Sequence, residues 1–135
     1  MDIIILWGIY YMKTKESQEN YLETILILQK RKGNVRSIDI ANELDFSRPS
    51  VSRAIKLIKE KGYITVDESG LIKLTEEGKE VAGAVYEKHV TLGKFLITLG
   101  VEEKTAMEDA CRMEHVISTD SFEKIKAHAK KCMEK

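Results

Sequence analysis

Seven residues, Asp109-Ala110-Cys111-Arg112-Met113-Glu114-His115, gather chemistry in a short span. On a helix, Cys111, Glu114 and His115 stand at i, i+3 and i+4 and share one face. A thiolate, a carboxylate and an imidazole together suit a first-row divalent metal. The plainer reading of the same stretch is a surface helix with one buried cysteine. His89 and Glu23 are further candidate ligands on other helices, although His89 alone reads as an ordinary, partly buried histidine. No HExxH is present, and Glu114 and His115 are adjacent rather than spaced as a hydrolytic zinc site requires. No catalytic residue, and no enzyme, is expected.

A second stretch carries charge. Between Ser47 and Lys61 stand Arg48, Arg53, Lys56, Lys59 and Lys61 against Glu60 alone. Residues 76–135 hold 10 basic and 12 acidic side chains, and the whole chain is neutral, with 22 of each sign. A basic segment on a neutral protein is a candidate electrostatic footprint for nucleic acid.

Elements must position both stretches, and the patterning is mainly helical with one β-hairpin. Ser17 reads as the cap of a helix over about 17–32, with Tyr21, Leu22, Ile25, Leu26 and Leu28 at helical spacing. Ser37 caps a second helix, Ile38 to Leu44. After a turn at Asp45-Phe46, Ser47 caps a third helix that carries Pro49 in its first turn and ends at Gly62. Val51, Ala54, Ile55 and Ile58 form its buried stripe, and Ser50, Ser52, Arg53 and Lys56 point outward.

Two short strands, Tyr63–Val66 and Leu71–Leu74, flank the turn-forming Asp67-Glu68-Ser69-Gly70. Thr75 caps a long helix reaching about Leu99, with Glu76 and Glu77 favoured by the dipole of its first turn. A further helix is expected from Glu102 to Val116. A last one, over about 120–132, carries Asp120 and Glu123 as a capping box.

Helix, tight turn, helix and β-hairpin is the winged helix-turn-helix order. Its second helix enters a major groove with the N-terminus leading. Ser47, Arg48, Pro49, Ser50 and Ser52 cluster there, and Arg53 and Lys56 reach base edges or phosphates farther along. The acidic wing tip, Asp67 to Gly70, is expected to contribute little phosphate contact. The rival use of such a domain is protein contact alone.

Composition bounds the rest. The chain has 135 residues, 33% charged and 43% hydrophobic, a globular balance. Its two cysteines, Cys111 and Cys132, form no CxxC pair, which argues against a zinc ribbon, and both are expected reduced in a cytoplasmic protein. The apolar start MDIIILWGIYY is too short to span a bilayer and lacks the features of a signal peptide. Residues 1–16 are therefore set apart as an extension of open role. Residues 17–75 are read as the DNA-binding domain and 76–135 as a helical metal-binding and dimerisation domain. No membrane partner is expected.

Five segments in order, SQENYLETILIL, IDIANELDFSRPSVSRAIKLIKEKGYI, IKLTEEGKEVA, KHVTLGKFL and EDACRMEHVIS, carry a resemblance over about residues 17–120. The chain resembles the diphtheria toxin repressor family of iron- and manganese-dependent regulators. The resemblance implies a homodimer whose winged-helix domains bind a palindromic DNA operator, with metal bridging the first helix to the dimerisation helices. Because the chain stops near residue 135, it resembles the short, manganese-regulator-like members without the SH3-like domain.

Position by position, Cys111, Glu114 and His115 match the iron-type ligand set, and manganese-type members have glutamate where Cys111 stands. Asn20 occupies the first-helix ligand position. Glu23 matches a manganese-type ligand, and His89 matches a ligand of both types. Gly93 and Met107 stand where the iron type's ancillary site has a glutamate and a histidine, so the resemblance implies that this ancillary site is broken. The soft thiolate favours Fe(II), or Zn(II), Co(II) and Ni(II), over Mn(II). The resemblance implies an Fe(II)-activated repressor of metal-uptake genes, with a manganese-responsive regulator of the same type as the alternative. Its rivals are a winged-helix regulator sensing oxidants or a small ligand through Cys111, and a plain helical interaction module.

Overall fold

A computed structural model of the chain describes residues 15–133. Its elements in order are α1 (Lys15–Lys32), α2 (Ser37–Leu44), α3 (Arg48–Glu60), β1 (Ile64–Val66), β2 (Ile72–Leu74), α4 (Glu76–Thr98), α5 (Glu103–Met113) and α6 (Thr119–Met133). The expected N-terminal extension lies outside the described residues, except that Lys15 and Glu16 already belong to α1. Ser17 is thus inside the first turn rather than capping it. The chain divides into two compact units, Met1–Gly83 and Ala84–Lys135.

The first unit is built on one apolar cluster. Tyr21, Leu22, Ile25 and Leu28 of α1, Ile40 and Ala41 of α2, and Val51, Ile55 and Ile58 of α3 are buried together with Val35, Ile64, Ile72, Leu74 and Ala82. On α1 and α3 these positions recur at three- and four-residue steps, the spacing that turns one helical face inward. Between α2 and α3, Asp45 takes the left-handed conformation at φ 56°, and the Phe46 amide returns to the Ala41 carbonyl at 3.1 Å. A short polar side chain tolerates that conformation, and it makes the turn tight.

Local chemistry fixes each boundary here. Ser47 caps α3 by accepting from the Ser50 amide at 3.3 Å, and Pro49 occupies the first turn. Gly62, at φ +84°, ends the helix, and the Tyr63 amide reaches the Ile58 carbonyl at 3.2 Å. On α2 the cap is Arg36 rather than Ser37, because the Asp39 carboxylate takes the Arg36 amide at 2.8 Å. Its bond to Lys32 at 2.6 Å, and then that amide, hold the Asp39 carboxyl below its usual range.

The hairpin is antiparallel, pairing Ile64 with Leu74, Thr65 with Lys73 and Val66 with Ile72. Ile72 also donates to the Val35 carbonyl at 2.8 Å, which ties the wing to the segment after α1. At the start of α4, Thr75 accepts from the Gly78 amide at 3.1 Å and donates to the Gly62 carbonyl at 2.7 Å. A Cβ on Gly78 would lie 1.9 Å from the Tyr63 carbonyl oxygen, so only glycine lets α4 leave the hairpin here.

In the second unit, Leu92 of α4, Ala110 of α5 and Phe122 of α6 form the buried centre, with Met113, Ile117 and Ile125 against it. Helix α5 ends at Met113, three residues before the expected Val116. The Val116 and Ile117 amides both reach back to the Met113 carbonyl, at 3.1 and 3.0 Å, and this tightened turn carries Ile117 inward. Ser118, not Asp120, caps α6, accepting from the Ser121 amide at 3.1 Å. No helix among the described residues is long and apolar enough to cross a membrane.

Candidate metal centre and nucleic-acid interface

The short turn after α4 sends α5 back along it, so a residue on one helix faces a particular residue on the other. His89 of α4 meets Cys111 and Glu114 of α5, and one ligand atom from each lies within 4.8 Å of the other two. The spacing within α5 sets its side of the cluster, because residues at i and i+3 share a face. Glu114 is the C-cap residue, still helical at φ −59° and ψ −27°, with its amide on the Ala110 carbonyl at 3.0 Å.

Glu114 is a charged residue at the heart of the second unit, with its side chain fully buried. One carboxylate oxygen is 3.1 Å from His89 Nδ1, and the other is 3.2 Å from His115 Nε2. Burial pushes the Glu114 carboxyl up, but its bonds to His115 and then His89 outweigh this and hold it below its usual range. A buried carboxylate is costly unless partnered, and here the two imidazoles partner it and keep it available as an anionic donor. One nitrogen, one sulfur and one oxygen donor, needing only a small closing movement to reach bonding distance of about 2.0–2.3 Å, fit a divalent transition ion.

His115 therefore stands beside Glu114 and outside the three-residue cluster. It follows the end of α5, in the turn after Met113, and keeps its ring on the Glu114 carboxylate. Asn20 and Glu23 lie on α1 in the first unit, where Glu23 is buried and the Asn20 carbonyl accepts from Thr24 Oγ1 at 2.8 Å.

On α3, Ser47, Arg48, Pro49, Ser52, Arg53 and Lys56 are exposed, while Val51, Ile55 and Ile58 turn inward. Ser50 is half-buried rather than fully outward. Its hydroxyl is shared with Ser47 Oγ at 2.8 Å and Arg53 Nη2 at 3.4 Å, so it serves the cap and steadies Arg53. Lys61 donates to Gln18 Oε1 at 2.8 Å, which commits one of the basic residues to the fold.

The wing tip satisfies itself. Asp67 Oδ1 accepts from the Leu71 amide at 2.9 Å, the Ser69 hydroxyl at 2.8 Å and the Ser69 amide at 2.9 Å. Those bonds, led by the Leu71 amide, hold its carboxyl below the usual range. Arg36 Nε donates to the Ser69 carbonyl at 3.3 Å, which sets a cation beside the acidic tip. Arg36 is not among the residues that the sequence singles out. Its role depends on contact with a residue thirty-three positions away, for which no local pattern exists.

Residues 13–72 match the family described as "Iron dependent repressor, N-terminal DNA binding domain", and residues 75–134 match "Iron dependent repressor, metal binding and dimerisation domain". An HTH-type transcriptional regulator of Methanocaldococcus jannaschii is 34% identical over 122 residues, covering 89% of this chain and 98% of the relative. The transcriptional regulator MntR of Escherichia coli O157:H7 is 31% identical over 117 residues, covering 87% and 76% respectively. A solved manganese-dependent transcriptional repressor in complex with manganese superimposes with a TM-score of 0.77 at 26% identity. That superposition covers 84% of this chain and 52% of the solved one, so the chain spans about half the length of that protein.

Proposed function

The chain belongs to the iron-dependent repressor family of metal-dependent, DNA-binding transcriptional regulators, and we propose from that premise that it is a cytoplasmic homodimer that binds a palindromic operator when Fe(II) is held by His89, Cys111 and Glu114. The observation that carries this reading is the convergence of nitrogen, sulfur and oxygen donors within 4.8 Å around a buried, ionised carboxylate. The thiolate supports iron, since soft ligands disfavour manganese relative to the later metals. Manganese is the second reading, favoured by the likeness to a repressor solved with that ion.

His115 and Glu23 remain in the proposed ligand set on their residue types and on the resemblance, and Asn20 on the resemblance alone. Glu114 supplies negative charge at the centre, and its bond to His89 Nδ1 orients that ring. A bound cation supplies free energy that favours whichever conformer holds its ligands in place. It shifts DNA binding only through a difference in affinity between the DNA-competent state and the others.

At the DNA, Arg48, Arg53 and Lys56 are proposed to contact phosphates and base edges, with Ser47, Pro49, Ser50 and Ser52 at the leading end of α3. The expected output is repression of metal-uptake genes. Replacing Glu114 by alanine is expected to abolish metal-stimulated operator binding while the helical circular dichroism persists. Anisotropy of labelled operator with and without metal measures this, and a variant that responds to metal as the wild type does would contradict the site.

A further inference from the structure

The long helix α4 serves two apolar clusters in turn. Val81 and Ala82 pack into that of the first unit, and Leu92 into that of the second. Of the described residues between them, only Val85 is buried. Gly83 stands directly after the last side chain that the first cluster holds, and the division between the two compact units falls between Gly83 and Ala84.

Glycine in the interior of a helix weakens it, because its backbone has more freedom to lose. Such a glycine is expected where a close approach requires it. Two glycines of α4 have that reason. A Cβ on Gly78 would lie 1.9 Å from the Tyr63 carbonyl oxygen, and one on Gly93 would lie 2.5 Å from Met107 Sδ. Gly83 has no such reason. A Cβ there would meet nothing within 4 Å, and Gly83 is not among the glycines with positive φ. Alanine would fit at this position and would strengthen the helix.

Resting on the metal response proposed above, we propose that Gly83 is a hinge that sets the size of that response. The helix unbroken from Glu76 to Thr98 is the DNA-competent form, and the glycine lets the metal-free chain leave it. The weak point lowers the population of the competent conformer, so DNA binding without metal starts low. A ligand that favours the competent conformer then has room to raise it. Without the glycine the metal-free chain would already be largely competent, and metal would add less.

The test compares full-length wild type, Gly83→Ala and Ala84→Gly. Ala84 is exposed, so removing its Cβ disturbs no packing. The probe is a labelled duplex that the metal-loaded wild type enriches from a random pool. Its anisotropy is followed at fixed salt, with chelator and then with Fe(II) in the absence of oxygen. With chelator, Gly83→Ala should bind about fivefold tighter than wild type and Ala84→Gly about fivefold weaker, the ratio that one glycine–alanine exchange inside a helix is worth. With Fe(II) the three should bind alike. Amide hydrogen exchange over residues 80–88 should be faster in metal-free wild type than in metal-free Gly83→Ala, and metal should slow it in wild type.

A metal response of the same size in all three proteins would overturn the proposal. Weaker binding by Gly83→Ala in both conditions would overturn it as well, because the unbroken helix would then not be the competent form. So would exchange over residues 80–88 that neither alanine nor metal alters. A wild type that binds DNA equally with chelator and with Fe(II) would instead remove the metal response itself, and this proposal with it.

Discussion

At the scale of single residues, Glu114 concentrates the chemistry. Its carboxyl is held below the usual range, so in the apo-protein its contribution to stability is complete above the ordinary carboxylate range and is lost as pH falls through its lower folded value. Apo-protein melts across acid pH should therefore show the part that disappears in Glu114→Ala declining only there. Metal binding gives way earlier, because protonated imidazole and thiol do not ligate. Zn(II) affinity measured by competition should fall as pH drops, since each ligand must shed its proton to bind; an affinity independent of pH would contradict the ligand set. Tyr21 offers a separate case. Its hydroxyl is buried with no hydrogen-bond partner among the described residues, and burial, partly offset by Arg53, pushes its pKa up to about 12. Replacing Tyr21 by phenylalanine removes an unsatisfied group and should leave stability unchanged or raise it by about 1 kcal/mol, read as the midpoint of denaturant unfolding. Cys111 and Glu114 were legible in the sequence because helical spacing brings them together. The end of α5 three residues early was not, because the turn that carries Ile117 inward is set by packing and not by local pattern.

At the scale of elements, the helices of the first unit were largely legible. The apolar stripes of α1 and α3 recur at helical spacing, and Ser47, Pro49 and Gly62 act locally to bound α3. The caps of α2 and α6 were misassigned because several polar residues stand in a row, and tertiary geometry chooses among them. Arg36 with Asp39 serves one and Ser118 the other. The junction of hairpin and α4 depends on a contact that no pattern announces. Gly78 packs directly against the Tyr63 carbonyl, so Gly78→Ala should destabilise the protein by about 1–3 kcal/mol, the usual cost of overpacking. Thermal unfolding of that variant measures it, and a melting point equal to the wild type's would show that the junction yields freely.

At the scale of the whole molecule, one unit carries a basic recognition helix and the other a metal-capable cluster. A neutral net charge hides both, and only their local composition shows them: five basic side chains against one acid over Ser47–Lys61, and thiolate, carboxylate and imidazole over 111–115. The most direct measurement is fluorescence anisotropy of operator-sized DNA at fixed salt, first with chelator and then with Fe(II), Mn(II) and Zn(II) in turn, without oxygen. The salt must be held constant because phosphate contacts make affinity depend steeply on it. The account predicts weak binding with chelator, tighter binding with metal, and a stronger response to Fe(II) than to Mn(II). Equal affinity with chelator and with every metal would contradict it, leaving a DNA-binding protein whose switch is Cys111 oxidation or a small ligand.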